Sequence, residues 1–169
     1  MEYTHVTHTF GPVYDEASRV LILGSFPSVK SRENQFYYGH PQNRFWKMLA
    51  EIAEVKAPDT VEEKKSFLLS RQIALWDVIE SCEIEGSSDS SIRNVAANDM
   101  NLILQQAPIE KILCNGGKAY ELFFRYCAAP GYPPVKKMPS TSPANAAWRL
   151  EKLVEAWSAE LSGLKKEIV

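Results

Sequence analysis

The sequence has few of the residues on which metal and disulfide chemistry depend. Cysteine occurs three times, at positions 82, 114 and 127, and never as a Cys-x-x-Cys pair. An odd number at such spacing argues against a disulfide framework or a zinc ribbon, and three thiols cannot supply the four ligands of an iron–sulfur cluster. Near the N-terminus, His5 and His8 lie in an alternating segment, so we expect both on the solvent face of a short terminal strand. We therefore expect no metal and no other cofactor.

Long hydrophobic runs are also missing. No stretch reaches the roughly 18 apolar residues that a membrane-spanning helix requires. The first residues, Met-Glu-Tyr-Thr-His, lack the basic start and the apolar core of a signal peptide. We accordingly expect a cytoplasmic protein that does not act at a membrane.

The chain has no excess of positive charge. It carries 19 Lys and Arg residues against 21 Asp and Glu residues, which gives a formal net charge of −2. Phosphate contacts dominate the affinity of proteins for DNA, so this balance weighs mildly against a nucleic-acid partner. Only the local charge at an interface decides the matter, however, and Lys30, Lys47 and the pair Lys136-Lys137 lie beside the sequence blocks described below.

Short apolar segments alternate with amphipathic ones along the chain. Four strands are predicted, at residues 19–24, 73–78, 111–115 and 135–138, and helices at residues 43–55, 61–70, 99–106, 117–126 and 143–161. The polar segment from Ser81 to Asn98 shows no period and is predicted to be a long loop. This alternation predicts an α/β fold: a three-layer α/β/α sandwich around a short, mainly four-stranded parallel sheet. We expect residues 1–169 to form a single domain.

Three sequence blocks lie at the junctions between these predicted strands and helices. The first is Gly24-Ser-Phe-Pro-Ser28, directly after the first strand, followed by Tyr37-Tyr-Gly-His-Pro-Gln-Asn-Arg-Phe-Trp46. The others are Ile112-Leu-Cys-Asn-Gly-Gly-Lys-Ala-Tyr120 and Met138-Pro-Ser-Thr-Ser-Pro-Ala-Asn145. A loop of small residues between a strand and a helix predicts a pocket at the carboxyl edge of the sheet, where open α/β sheets bind ligands.

In this order the blocks resemble the uracil-DNA glycosylase superfamily, and particularly its hypoxanthine (deoxyinosine) DNA glycosylase branch. The resemblance runs from about residue 20 to residue 148. It implies a monofunctional DNA glycosylase that hydrolyses the N-glycosidic bond of deaminated bases in base excision repair, hypoxanthine first, with uracil and xanthine as further candidates. The partner would be DNA containing deaminated bases, and we expect a monomer.

Other functions remain open on the sequence alone. One alternative is a uracil or mismatch-specific DNA glycosylase. Another is a non-catalytic module that binds nucleotides or damaged DNA, because two side chains usual in the superfamily are missing. A serine hydrolase that uses Ser25 or Ser28 is disfavoured, since the sequence contains no Gly-x-Ser-x-Gly.

The two missing side chains change which residues are expected to carry the chemistry. Phe26 stands where relatives usually place the Asn or Asp that positions water, and Met138 stands where the second motif usually has His. The resemblance transfers the water-positioning role to Asn43, with Asn34 as the substitute. The alternative for Asn43 is an ordinary helix cap.

The resemblance also implies a base pocket, formed by Gly24, Ser25, Phe26, Tyr38, Asp77 and Asn115. Tyr38 would stack on the extruded base; the alternative is a loop tyrosine that packs under the following helix. An ionised Asp77 would accept a hydrogen bond from hypoxanthine N1–H and repel the bare N1 of adenine; the alternative is a cap of the next turn. Asn115 either lines the same pocket or pins the turn at Gly116.

Contacts to DNA are expected around the mouth of this pocket. The Ser140-Thr-Ser142 segment precedes Pro143 at the predicted start of the last helix, a position suited to phosphate; a Ser-capped helix is the plain alternative. His40 would contact a phosphate or a base, or brace its own loop. The predicted DNA contacts are Pro27, Ser28, Lys30, His40, Lys137, Ser140, Thr141 and Ser142.

Overall fold

The computed structural model describes residues 3–161 and arranges their strands in two sheets. The strands are β1 (Thr4–Thr7), β2 (Val20–Gly24), β3 (Ile73–Asp77), β4 (Ile79–Ile84), β5 (Arg93–Ala97), β6 (Lys111–Asn115) and β7 (Val135–Met138). The larger sheet has the order β3-β2-β6-β7 and every neighbouring pair in it is parallel. The four predicted strands are thereby confirmed.

Helices cover both faces of the parallel sheet. They are α1 (Val29–Asn34), α2 (Phe45–Ala53), α3 (Val61–Ser70), α4 (Asn101–Leu104), α5 (Gly117–Tyr126) and α6 (Leu150–Ser158). In β7, Lys136 binds Glu160 just beyond α6, whereas the next residue, Lys137, approaches Tyr120 of α5. Because neighbouring residues of a strand point to opposite faces, α5 and α6 lie on opposite sides of the sheet. The predicted three-layer α/β/α sandwich is confirmed.

The core lies between this sheet and its helices. Strand β3 is buried along its whole length, and β2 is buried from Leu21 to Gly24, as expected for parallel strands covered on both faces. On one side α2 contributes Phe45, Met48 and Leu49, and α6 adds Trp157. Within residues 3–161, no helix combines the length and the apolar character needed to cross a membrane.

The prediction of a long loop from Ser81 to Asn98 is wrong. This segment contains most of β4, a short 3₁₀ helix at Asp89–Ser91, and β5, and these strands form an antiparallel sheet with β1 in the order β1-β4-β5. After Ile79, the only buried residues of β4 are Cys82 and Ile84, and β5 has no buried residue. The small sheet therefore carries too few apolar residues to show a period in the sequence.

Two helix predictions also need correction. Helix α1 was not predicted, and the last helix begins at Leu150 instead of Pro143. In the segment before α6, Ser140 Oγ accepts a hydrogen bond from the Ser142 N–H, and the Arg44 guanidinium donates to carbonyls at residues 142, 145 and 148. These bonds occupy groups that a helix would need for its own ladder, so the chain turns there instead.

Candidate active site

A cavity of about 350 Å³ opens at the carboxyl ends of β2, β3 and β6, the edge at which parallel sheets bind ligands. Its volume is in the range of small-molecule sites. Among the predicted site residues, those that line it are Gly24, Ser25, Phe26, Pro27, Ser28, Tyr38, His40, Asn43, Asp77, Asn115, Ser140, Thr141 and Ser142. Lys30 and Lys137 lie outside it. The loops after three strands and the 140–144 segment thus meet in one place, as the sequence blocks predict.

Gly24 brings two polar side chains together at the inner end of the cavity. A Cβ atom on this residue would lie 2.4 Å from Asp77 Oδ1 and 2.9 Å from Tyr38 Oη. Both distances are shorter than any van der Waals contact, so a larger residue would push the carboxylate and the hydroxyl away. The glycine is therefore required by the close approach of these two groups.

A hydrogen bond from His8 fixes the Asp77 carboxylate. The His8 Nε2 atom lies 2.8 Å from Asp77 Oδ2, and the two side chains are only 3% and 4% exposed. Because an ionised carboxylate can only accept, His8 Nε2 is the donor in this bond. The expectation that His8 faces solvent is wrong, whereas His5 is exposed as predicted. The chain leaves β1 at Thr7, so the alternation of that strand no longer applies to residue 8.

Aromatic rings enclose the rest of His8. Its ring centroid lies 4.4 Å from that of Phe10, 6.0 Å from that of Phe26 and 5.8 Å from that of Tyr37. Its second nitrogen, Nδ1, is buried and has no hydrogen-bond partner among the described residues. The apolar enclosure keeps water from competing for the Asp77 carboxylate, which strengthens the His8–Asp77 bond.

Tyr38 adopts an unusual backbone conformation. Its φ is 54°, in the left-handed region that costs a bulky residue about 1–3 kcal/mol. The ring stacks on Phe45 of α2, with centroids 4.1 Å apart and an interplanar angle of 28°. One face of the ring therefore packs under α2, which agrees with the alternative prediction of a loop tyrosine that packs under the following helix. The stacking role toward a base stays a prediction.

The Tyr38 hydroxyl is buried and unpaired. Its oxygen has no hydrogen-bond partner among residues 3–161. The nearby Asn115 carboxamide is committed to Thr141 through both of its polar atoms. Burial, and after it the negative charge of Asp77, raise the pKa of the Tyr38 hydroxyl far above its usual range, and Asn115 offsets this only in part. The group therefore remains a hydrogen-bond donor at every physiological pH.

A hydrogen-bonded chain joins Asn115, Thr141 and Asn43 along one wall. Asn115 Oδ1 accepts from the Thr141 N–H at 3.1 Å, and Asn115 Nδ2 donates to Thr141 Oγ1 at 3.0 Å. The Thr141 hydroxyl in turn donates to Asn43 Oδ1 at 2.9 Å. Asn43 Oδ1 also accepts from the Phe45 N–H at 2.9 Å, so Asn43 does brace the start of α2.

The Phe45 bond also fixes which way the Asn43 carboxamide points. A backbone N–H can only donate, so the atom that faces it must be the oxygen. The Asn43 Nδ2 group then makes no hydrogen bond to any other described residue. It is a donor available at the cavity, which Asn43 lines.

Arg44 holds the 140–149 segment against α2. Its Nε donates to the Thr141 carbonyl at 3.2 Å and its Nη2 to the Ser142 carbonyl at 2.7 Å. Its Nη1 donates to the Trp148 carbonyl, and Nη2 also reaches the Asn145 carbonyl. A guanidinium has the donors in a rigid fork that such a set of carbonyls requires. Arg44 therefore fixes the position of Thr141 relative to Asn43.

Asp89 completes the cavity and was not predicted from the sequence. Its Oδ1 accepts from Ser25 Oγ at 3.1 Å, and Asp89 lines the same cavity. Although the residue as a whole is exposed, its carboxyl faces the cavity, where burial raises its pKa and the bond from Ser25 lowers it in part. The neighbouring carbonyl of Gly86 accepts from Arg32 Nη2 at 2.6 Å. The segment between β4 and β5 is thus tied to the Gly24–Ser28 loop.

Several predicted DNA contacts have other partners in the structure. The Ser140-Thr-Ser142 segment does not begin a helix, so it offers no helix N-terminus to a phosphate. His40 Nδ1 accepts from the Gln42 N–H at 3.1 Å and braces its own loop. Lys30 is exposed on α1 and lies 3.5 Å from Glu33. Asn34, the substitute for Asn43, ends the same helix outside the cavity.

The two lysines of β7 differ in their surroundings. Lys136 Nζ donates to Glu160 Oε2 at 2.7 Å, and this bond is the largest influence that lowers the pKa of Glu160. Lys137 Nζ lies 5.9 Å from the Tyr120 ring centroid. Lys137 also borders a second cleft beside the cavity, together with Ser140, Ser142 and Trp148. Lys137 is therefore the one of the pair that faces the side of the cavity mouth.

Known proteins resemble this chain over most of its length. Residues 12–161 match the model of the uracil DNA glycosylase superfamily. A hypoxanthine DNA glycosylase of Methanosarcina acetivorans is 38% identical over 154 residues, which is 89% of this chain and 94% of the relative. One from Methanosarcina barkeri is 36% identical over 140 residues, 80% of this chain and 86% of the relative.

A solved structure agrees with these sequence matches. The solution NMR structure of a candidate uracil DNA glycosylase from Methanosarcina acetivorans superposes with a TM-score of 0.77 at 35% identity, and covers 93% of this chain and 97% of that one. The family model, the relatives and the shared fold all agree. The chain belongs to the uracil DNA glycosylase superfamily.

Proposed function

We propose that this protein is a monofunctional DNA glycosylase that releases hypoxanthine from DNA containing deoxyinosine, as a step of base excision repair. The names of both Methanosarcina relatives support this activity. The observation that carries the proposal is the buried Asp77 carboxylate at the inner end of a cavity built from the family's sequence blocks.

Asp77 discriminates between hypoxanthine and adenine. His8 occupies Oδ2, so Oδ1 is the oxygen available beside Gly24. Hypoxanthine offers it an N1–H donor, whereas adenine places an acceptor at the same position. The wrong base leaves Asp77 Oδ1 without a donor and places an acceptor against it, and such a penalty discriminates strongly between substrates. Guanine also has N1–H, so its amino group must be excluded by the shape of the cavity.

Asn43 supplies the contact to water. The base must first leave the duplex and enter the cavity. The bond between C1′ and N9 then breaks, its electron pair passes to the departing base, and a water oxygen adds to C1′ while the water proton ends on the base. Asn43 Nδ2, whose orientation is set by the Phe45 N–H, holds that water as a donor. Preorganised dipoles of this kind stabilise the separating charges.

Cleavage of defined duplexes tests the proposal. Duplexes carry a single inosine, uracil, xanthine or adenine, and alkali after incubation cuts the strand wherever a base has been removed. We expect the highest single-turnover rate on inosine. A higher rate on uracil would replace the proposal by a uracil DNA glycosylase. Tight binding without cleavage of any base would favour a non-catalytic module that binds damaged DNA.

A further inference from the structure

Three features of the chain converge on the hydroxyl of Tyr38. The residue adopts a left-handed φ of 54°, its Oη atom is buried without a partner among residues 3–161, and residue 24 opposite it is a glycine. A Cβ at Gly24 would lie 2.9 Å from Tyr38 Oη and 2.4 Å from Asp77 Oδ1. Strained backbone and unpaired buried polar groups both mark functional sites.

Resting on the function proposed above, we propose that Tyr38 Oη donates a hydrogen bond to the carbonyl oxygen O6 of the extruded hypoxanthine. Asp77 Oδ1 then accepts from the adjacent N1–H of the same base. Together the two side chains form one donor and one acceptor next to each other. Tyr38 is thus a specificity-determining residue that acts through its hydroxyl, beyond any stacking of its ring.

The substrate class follows from this pair of groups. Hypoxanthine, xanthine and uracil all present a carbonyl oxygen beside a ring N–H. Adenine and cytosine present an amino group beside a bare ring nitrogen, which reverses both hydrogen bonds. Deamination of adenine or cytosine converts the second pattern into the first, so one donor and one acceptor distinguish these products from their parent bases. Guanine and thymine also carry the first pattern, so the shape of the cavity must exclude them. The same shape then selects among hypoxanthine, xanthine and uracil.

The same bond assists departure of the base. As the glycosidic electron pair passes to the base, negative charge develops on its carbonyl oxygen, and a fixed donor there gains strength. The second motif of this chain has Met138 in place of the usual His, so Tyr38 Oη supplies a donor that this motif does not. The Tyr38 proton is not transferred, because burial and the charge of Asp77 hold the pKa of the hydroxyl high.

The test compares Tyr38→Phe with the wild type on two bases. This variant keeps the ring and its stacking on Phe45 and removes the hydroxyl alone. The duplexes carry 2′-fluorinated analogues of deoxyinosine or of purine deoxyriboside, so that binding is measured without cleavage. Purine lacks both the oxygen at C6 and the N1–H, so the base offers Tyr38 Oη no carbonyl in either protein. We expect Tyr38→Phe to weaken binding of the inosine duplex about tenfold and to leave the purine duplex unchanged. Single-turnover release of hypoxanthine should fall by about 10²-fold, as for loss of one donor to a developing oxyanion.

Tyr37→Phe is the matched control. Tyr37 is buried beside Tyr38, but its hydroxyl donates to the Gly11 carbonyl at 2.8 Å. Its loss should lower the unfolding temperature without changing the ratio of inosine to purine binding. A Tyr38→Phe variant that binds the two duplexes in the wild-type ratio overturns the inference while the glycosylase activity stands. A wild type that releases no hypoxanthine overturns the proposed function and this inference with it.

Discussion

Asn43 Oδ1 accepts a 2.9 Å hydrogen bond from the hydroxyl of Thr141, which lies 98 residues further along the chain. The same oxygen accepts from the Phe45 N–H. We propose that structural and catalytic roles divide between the two atoms of this carboxamide. The oxygen braces α2 and the 140–149 segment, and the nitrogen is the group that we assign to the water.

This division predicts that Asn43→Ala loses more activity than stability. Single-turnover release of hypoxanthine should fall by about 10²-fold or more, the scale of a well-placed catalytic group. The two lost hydrogen bonds, from the Phe45 N–H and from the Thr141 hydroxyl, should cost about 2 kcal/mol in the free energy of unfolding. Asn43→Asp keeps both accepted bonds and loses the donor, so it should retain wild-type stability and still be slow. Wild-type rates in both folded variants would refute the assignment.

Arg44 is predicted to link stability to catalysis. Arg44→Ala leaves carbonyls of residues 141, 142, 145 and 148 without their charged donor, which should cost about 2–3 kcal/mol in chemical denaturation. Arg44→Lys should recover little of this, because an ammonium cannot span the set of carbonyls. Both variants should also cleave more slowly, since Thr141 is no longer fixed against Asn43. If Arg44→Lys behaves as the wild type does in both assays, the clamp is not needed.

The His8–Asp77 pair predicts a thermodynamic coupling. His8→Ala leaves the Asp77 carboxylate buried and unpaired, a change that typically costs about 3–5 kcal/mol in the free energy of unfolding. Asp77→Asn removes the charge, so the double variant should be more stable than the sum of the two single effects predicts, by at least about 0.5 kcal/mol. Urea denaturation of the four proteins measures this. Additive effects would mean that the pair is not coupled.

The two lysines of β7 provide an internal comparison for DNA binding. Lys137 borders the cleft beside the cavity mouth, whereas Lys136 binds Glu160 on the other face. Lys137→Ala should reduce the slope of log K against log salt by about one unit, equally for damaged and undamaged duplexes. Lys136→Ala should leave the slope unchanged. The opposite pattern would place the DNA on the α6 face.

The sequence predicts the parallel sheet well because its strands are nearly continuous apolar runs. It fails for the β1-β4-β5 sheet, in which β4 follows Asp77 almost directly and β5 has no buried residue. It also fails at Pro143, because the helix that should begin there is prevented by Arg44, a residue about 100 positions earlier. Local patterns do not contain such long-range hydrogen bonds.

The residues of the candidate site are likewise only partly predictable from the sequence. Motif residues predict which loops meet, and Gly24, Asn43 and Thr141 do line one cavity. His8 and Asp89 escape prediction because their role comes from partners 69 and 64 residues away, Asp77 and Ser25. Both residues are polar and lie in polar stretches of the sequence. Their sequence neighbours therefore do not distinguish them from surface residues.

Direct detection of the released base tests the central claim. The wild-type protein is incubated in EDTA with a duplex that carries one deoxyinosine, and the small-molecule fraction is separated by chromatography. The account predicts free hypoxanthine in an amount equal to the alkali-labile sites formed, and none from the matched adenine duplex. Absence of free hypoxanthine from the inosine duplex, or release of the base as a nucleoside or nucleotide, would contradict it.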